Sequence, residues 1–420
     1  MIKQHPLILL TPVKEDQVER LQELLAKIKA ALHAGTETAF QQVSTLHYGR
    51  WVILSRESFR DEPAVPVGIR LIFSTNYDGD LDFHLRELCT GLAQYIDDIY
   101  ACCEGYPEPG NRTTESRKQY LEQWMIKTSA FFVGAPLRTV KQIRQEKQLK
   151  DFIWQLLVKN KWDGKPAVEI HRAIRNAVDA QPEFEWSKQK AKEPSINWKV
   201  FLPYVLLLLV ALPLVIVGAI YLFLFHELRD KNGTLTLSQL PDSQIRRLEQ
   251  DEDLFPQNQF TQVAVMKPGF IRRLNFQIWM LRTRVLAGHV FVKGKLLNIP
   301  TIHFARWVLI DNNRHVLFFS NFDGSWQQYL GDFIDQSGWG LSGIFSNTVN
   351  FPKTRFMVTG GAYDEEHFLA WSRSTQIPTQ AWYSAYHDLS IKNINNNTKI
   401  RNELRKDLSE KKARIFLKRF

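Results

Sequence analysis

Apolar positions along the first third of the chain switch between two periods. Residues 7–13 form a short apolar run, and residues 15–33 place Val18, Leu21, Leu25, Ile28 and Leu32 on one helical face. Residues 42–54 and 69–76 return to the strand period, 81–100 read as a helix and 130–134 as a last strand. The order is βαββαβ. It recurs later, with strands at 261–266, 301–311, 315–320 and 355–359 and helices at 271–286 and 326–334. The repetition is literal as well as periodic. Thr45-Leu46-His47-Tyr48-Gly49-Arg50-Trp51-Val52 returns as Thr301-Ile302-His303-Phe304-Ala305-Arg306-Trp307-Val308, and Asn76-Tyr77-Asp78-Gly79 returns as Asn321-Phe322-Asp323-Gly324. A spacing of 256 residues between His47 and His303 makes the repeated unit a whole domain, so the chain is expected to be a pseudo-dimer.

Between the copies the pattern disappears. Residues 201–225 carry no charge, and as a helix they would run to roughly 37 Å, enough for a hydrocarbon core of about 30 Å. Membrane attachment follows, with the lipid bilayer as a partner. Lys188, Lys190, Lys192 and Lys199 precede the segment and place that flank, and the folded parts with it, on the cytoplasmic side. A single crossing would put the two copies in opposite compartments. A turn at Pro213 would instead give two arms of about 18 Å each and return the chain to its own side, so a re-entrant hairpin is preferred over a span. The expected division is a first unit over 1–160, a basic linker over 161–200, the membrane segment over 201–225, a connector over 226–260, a second unit over 261–362 and C-terminal helices with a basic tail over 363–420.

Charge and cysteine content narrow this picture. Lys and Arg number 54 against 44 Asp and Glu, and part of the excess lies in the tail from Lys399 onward, which could meet acidic phospholipid or nucleic acid or stand as a solvated amphipathic helix. Three cysteines, Cys89, Cys102 and Cys103, have neither disulfide nor zinc spacing and point to a reducing compartment. The 271–286 helix has Arg272, Arg273, Arg282 and Arg284 beside Phe276, Ile278, Trp279, Met280 and Leu281, with no acidic residue, a composition suited equally to an anionic membrane surface and to an ordinary core-facing helix.

Two βαββαβ units resemble tandem ferredoxin-like folds, and packed sheet to sheet they resemble the dimeric α+β barrel superfamily, which includes dye-decolorising haem peroxidases. That resemblance implies an α+β fold with a pseudo-dimeric barrel and an oxidoreductase that binds haem in the second unit. The peroxidases have a G-x-x-D-G motif with its Asp on the distal side of haem; here Asp323-Gly324 and Asp78-Gly79 match, while Ser320 and Thr75 replace the first Gly. Carried over, Asp323, Arg306 and His303 would be catalytic, His303, His367 and Trp307 would contact the cofactor, and His367 or His303 would ligate iron.

The residues themselves leave alternatives. In a strand of period two, His303, Ala305 and Trp307 share one face and Ile302, Phe304 and Arg306 the other, so a pocket walled by an imidazole is expected if the first face lines the barrel. Both histidines could equally be hydrogen-bonded core residues, and Asp78 and Asp323 could cap the helices that follow them. G-x-x-x-x-G-K-[ST], G-x-S-x-G and H-E-x-x-H are absent, and residues 70–73 and 315–318 lack an RNA-recognition consensus, so nucleic acid is disfavoured as a partner. The competing function is a non-enzymatic barrel at the membrane surface that binds a lipid or another small hydrophobic or aromatic ligand; self-association is left open.

Overall fold

The structure, a computed structural model, describes residues 2–59, 61, 68–292, 294–296 and 298–420. It is an α+β protein with two four-stranded antiparallel sheets. Strands β1 (Gln4–Pro12), β2 (Leu46–Leu54), β3 (Arg70–Asp78) and β4 (Ala130–Val133) come from the first half. The second half supplies β5 (Gln257–Val265), β6 (Ile302–Ile310), β7 (His315–Asp323), a small hairpin of β8 (Thr354–Arg355) and β9 (Thr359–Gly360), and β10 (Ala381–Ser384). The sheet orders are β1-β3-β2-β10 and β4-β6-β7-β5. Each half therefore sends its last strand to the other's sheet.

The crossing is continuous. Trp124–Ile126 first bonds along β1, through Leu10 N–H to Trp124 O and Ile126 N–H to Ile8 O, and only then does the chain reach β6 as β4. In the other half Gln376 and Ile377 bond β5 before β10 reaches β2. The expected strand over 355–359 is thus a correction: Phe356 and Met357 adopt positive φ and turn the chain, and the strand with this role is β10. Four residues are too short a run to show a period.

Helices α1 (Val18–His33), α2 (Leu81–Gly91), α3 (Ala93–Tyr100) and α4 (Thr114–Gln123) belong to the first half, followed by α5 (Val140–Lys159) and α6 (Ala167–Asp179). Then come α7 (Trp198–Phe225), α8 (Asp242–Glu249), α9 (Phe270–His289), α10 (Trp326–Phe345), α11 (Glu365–Thr375), α12 (Ile391–Leu404) and α13 (Glu410–Leu417). Leu21, Leu25 and Ile28 of α1 join Trp51 and Phe73 in a core behind the first sheet; Phe276, Trp279 and Phe333 of α9 and α10 join Trp307 and Phe318 behind the second. Between the sheets lie Ile8, Val52, Leu54 and Ile72 against Val263, Val308, Leu317 and Phe319. Strands covered on both faces read as nearly unbroken apolar runs, which is why β7 shows little alternation.

Two domain expectations change. Residues 161–200 are not a bare linker, because Ile170, Ile174 and Val178 of α6 pack with Leu149 and Ile153 of α5, Ile400 of α12 and Phe416 of α13. The basic tail is folded inward: Arg401 pairs with buried Glu146, Arg405 with Asp179 and Arg419 with Glu403.

Helix α7 is unbroken through Pro203 and Pro213, so the turn expected at Pro213 is absent. Each proline lacks one N–H, and the helix absorbs that loss. Of its 28 residues, the half-buried or buried ones include Phe201, Tyr204, Val205, Ala211, Gly218, Ala219 and Leu222, one face at helical spacing. That face lies on the body. At one end the Asn197 N–H donates to His289 O at 3.0 Å, and at the other Phe223 stacks on Phe356 with ring centres 4.4 Å apart. Beyond it the Glu227 carboxylate accepts from Thr354 Oγ1 and the Met357 N–H, and Asp230 binds Lys267 at 2.8 Å and Arg272 at 2.5 Å.

Candidate functional site

The repeated histidines sit at one end of the space between the sheets. A register shift between Ile302 and Phe304, mirrored between Leu46 and Tyr48, breaks the strand alternation at each histidine. His303 therefore leaves the face it was expected to share with Ala305 and Trp307. Those two residues lie in the helix-side core, whereas His303 joins Phe304 on the side facing the other sheet. A bulge changes the face of one residue without changing any residue type, so periodicity alone misplaced it.

Each histidine is bonded to the aspartate of its own repeat. His47 Nε2 is 2.9 Å from Asp78 Oδ1, and His303 Nε2 is 2.7 Å from Asp323 Oδ1. The other carboxylate oxygen accepts the first N–H of a helix more than sixty residues further on: Val140 for Asp78 at 2.7 Å and Ile391 for Asp323 at 2.8 Å. The expected capping of the adjacent helices is corrected accordingly, since Asp80 caps α2 and Ser325 caps α10. The aspartates bind the equivalent helices α5 and α12 onto the sheets.

Arg50 and Arg306 form a second reciprocal pair. Arg306 donates to Leu7 O at 2.8 Å, to Thr75 O at 2.7 Å and to Asn76 Oδ1; Arg50 donates to the matching atoms of the other sheet, Phe260 O at 2.9 Å, Ser320 O at 3.0 Å and Asn321 Oδ1. Burial lowers the pKa of Arg50 to about 9 and pushes that of Arg306 well down, the neighbouring Arg50 charge adding to the latter. Sequence showed these arginines; only the structure shows that backbone carbonyls of the opposite sheet hold them.

One asymmetry interrupts the pairing. His47 Nδ1 is 2.7 Å from the Tyr386 hydroxyl. The residue matching Tyr386, at the spacing of 251 that also relates Val140 to Ile391, is Ala135. Among the described residues His303 Nδ1 accordingly has no hydrogen-bond partner.

A haem held by histidine needs an imidazole nitrogen facing a slot as wide as the macrocycle. His303 is 1% exposed and its Nε2 is taken by Asp323; its other nitrogen has no room for a macrocycle, because the rings of Tyr48 and Tyr386 are centred 5.7 and 6.2 Å from its own. Both terminal nitrogens of Arg306 are engaged, and the space beside Trp307 is about 40 Å³, near the volume of one water. His367 bonds Asp364, the residue that precedes α11, at 2.8 Å and shares no partner with His303 among the described residues. The residues present do not fit this group.

His84, not singled out by sequence, lies close by on α2. Thr45 and Thr75 bond its two nitrogens at 2.7 and 3.0 Å, and burial, followed by the nearby His47, lowers its pKa to about 3. The unfolded chain takes up this proton near pH 6.5 and the folded one does not, so the stability this group contributes is fully present above that and is lost as pH falls toward 3. The melting temperature is expected to decline through this window, and His84→Gln to flatten the decline; an unchanged slope would show that other groups control it.

The second candidate surface is outside. Helix α7 is, among the described residues, the one long and apolar enough to cross a membrane. Beside it α9 exposes Phe270, Ile278 and Leu281 at 74%, 57% and 58%, together with Leu274, along one stripe. A cleft of about 670 Å³ opens where α7 begins, between residues 193–199, β4 and the end of α9. Comparison of the chain with protein-family models, with curated proteins and with solved structures gives no match.

Proposed function

We propose that the two halves are ferredoxin-like units closed into one barrel, and that this barrel is a non-enzymatic module attached to one face of a membrane, where it holds a lipid or another hydrophobic molecule. The barrel reading is supported by the two crossing segments, each of which bonds its own sheet through β1 or β5 and then the other through β6 or β2. Its interior is filled by the arginine pair, the His–Asp pairs and apolar side chains, which leaves the outer surface as the place of action.

The observation that carries the membrane reading is that α7 is tied to the same body at both ends while its outer face is bare and apolar. Exposing so much apolar surface to water is unfavourable by about 25 cal/mol per Å², and lipid removes that cost. A helix apolar all round, lying lengthwise on a body whose neighbouring helix shows an apolar stripe with flanking arginines, suits immersion in one leaflet.

Depth measurement tests this reading. Spin labels at Leu206, Leu214 and Leu224, in protein reconstituted in vesicles, are expected to report similar depths, with Ile278 of α9 shallower than all three. A maximum at Leu214 with both ends near the headgroups would mean that α7 crosses the bilayer instead.

A further inference from the structure

The cleft at the start of α7 has a built floor. Gln4 donates to Ala135 O at 3.3 Å and to Arg138 O at 2.6 Å and accepts from the Leu137 N–H at 3.0 Å, fixing the corner that follows β4. A Cβ at Gly134 would run into the Ile302 carbonyl oxygen, and one at Gly294 into the Gly134 carbonyl oxygen, so the corner can close only with glycine at both positions. The far wall is stapled by the Asn197–His289 bond.

The lining divides by chemistry. Phe131, Val133, Leu137 and Val292 make an apolar wall, while Lys3 and Lys199 stand exposed at the rim. Among the described residues neither lysine has a carboxylate within ion-pair distance, and Glu193 is the one acidic residue of the lining. Trp198 and Lys199 belong to the first turn of α7, which makes the mouth continuous with the surface assigned above to lipid.

We propose that this cleft binds a single-chain amphiphile with an anionic head, drawn from the adjacent leaflet, with the chain along Phe131 and Val133 and the head between Lys3 and Lys199. The volume is within the usual range for small-molecule sites and accommodates one acyl chain. The positive rim selects an anionic head over a neutral one, and a carboxylate and a phosphate monoester present the same chemistry to it. The inference rests on the membrane reading, because a cleft opening to water would meet few such molecules.

Full-length protein in maltoside micelles is titrated with 9,10-dibromostearate, whose bromines quench nearby indoles, and with its methyl ester; oleoyl lysophosphatidate is the competitor that distinguishes phosphate from carboxylate. Saturable quenching is expected, tenfold or more tighter for the acid than for the ester, and reduced in Trp198→Phe. The double variant Lys3→Ala with Lys199→Ala should erase the preference for the acid while leaving ester binding unchanged. Val133→Trp should weaken both at least tenfold. Equal affinity for acid and ester in the native protein, or quenching that never saturates, would overturn the proposal. Each variant is also floated with vesicles: retained flotation with lost binding isolates the cleft, whereas native protein that fails to float overturns the membrane reading instead.

Discussion

Replacing Arg50 or Arg306 with alanine is expected to destabilise the fold by about 3–5 kcal/mol, because each change leaves buried acceptors of the opposite sheet without a donor. Arg50 holds Phe260 O, Ser320 O and Asn321, and Arg306 holds Leu7 O, Thr75 O and Asn76. The two guanidinium groups also repel each other, which lowers the Arg306 pKa beyond the effect of burial. Either single substitution relieves that repulsion, and the double substitution can relieve it only once. The double variant should therefore lose more than the sum of the singles. Denaturant titration of all four proteins measures this; a cost below about 1 kcal/mol for each single would show that the sheets are held together by the apolar contacts alone, and strict additivity would show that the two guanidinium groups do not repel each other.

The second large effect is expected at the aspartates. Asp78→Ala removes the partner of His47 Nε2 and the acceptor for the Val140 N–H together, and both lost bonds are buried. A cost of about 2–4 kcal/mol follows, with α5 released at its first turn. Asp323→Ala should do the same to His303 and α12. The histidines should differ: His47→Gln disturbs both Asp78 and the Tyr386 hydroxyl, whereas His303 has Asp323 alone. Thermal denaturation should rank His47→Gln below His303→Gln in stability, and hydrogen exchange should show faster opening of α5 in Asp78→Ala. The reverse ranking would mean that His303 is the histidine with the larger structural role.

These effects show where sequence was sufficient. The duplicated T-x-H-x-x-R-W-V strand announced two equivalent halves, and the periods of residues 7–13, 15–33, 42–54 and 69–76 correspond to β1, α1, β2 and β3. The exchange of β4 and β10 was hidden, because a four-residue apolar strand has the same pattern whichever sheet receives it. The partners of His303 were hidden by the bulge at Ile302, and those of Asp78 and Asp323 by distance, since a carboxylate followed by glycine and a helix is an ordinary local cap. For α7, composition showed how apolar it is but not that Asn197 and Asp230 fasten its two ends to one body. That fastening lets the two halves meet without a turn at Pro213.

The placement of both ends of α7 on one side is the central claim, and thiol labelling in intact cells tests it most directly. Lys192 and Lys231 are exposed on either side of the helix, and cysteine is introduced at each in turn in a background without the three native, buried cysteines. Both sites should give the same response to an impermeant maleimide, protected before lysis and labelled after it if the body faces the cytoplasm. Labelling of one site and protection of the other in the same cells would contradict the account, because α7 would then cross the membrane between them.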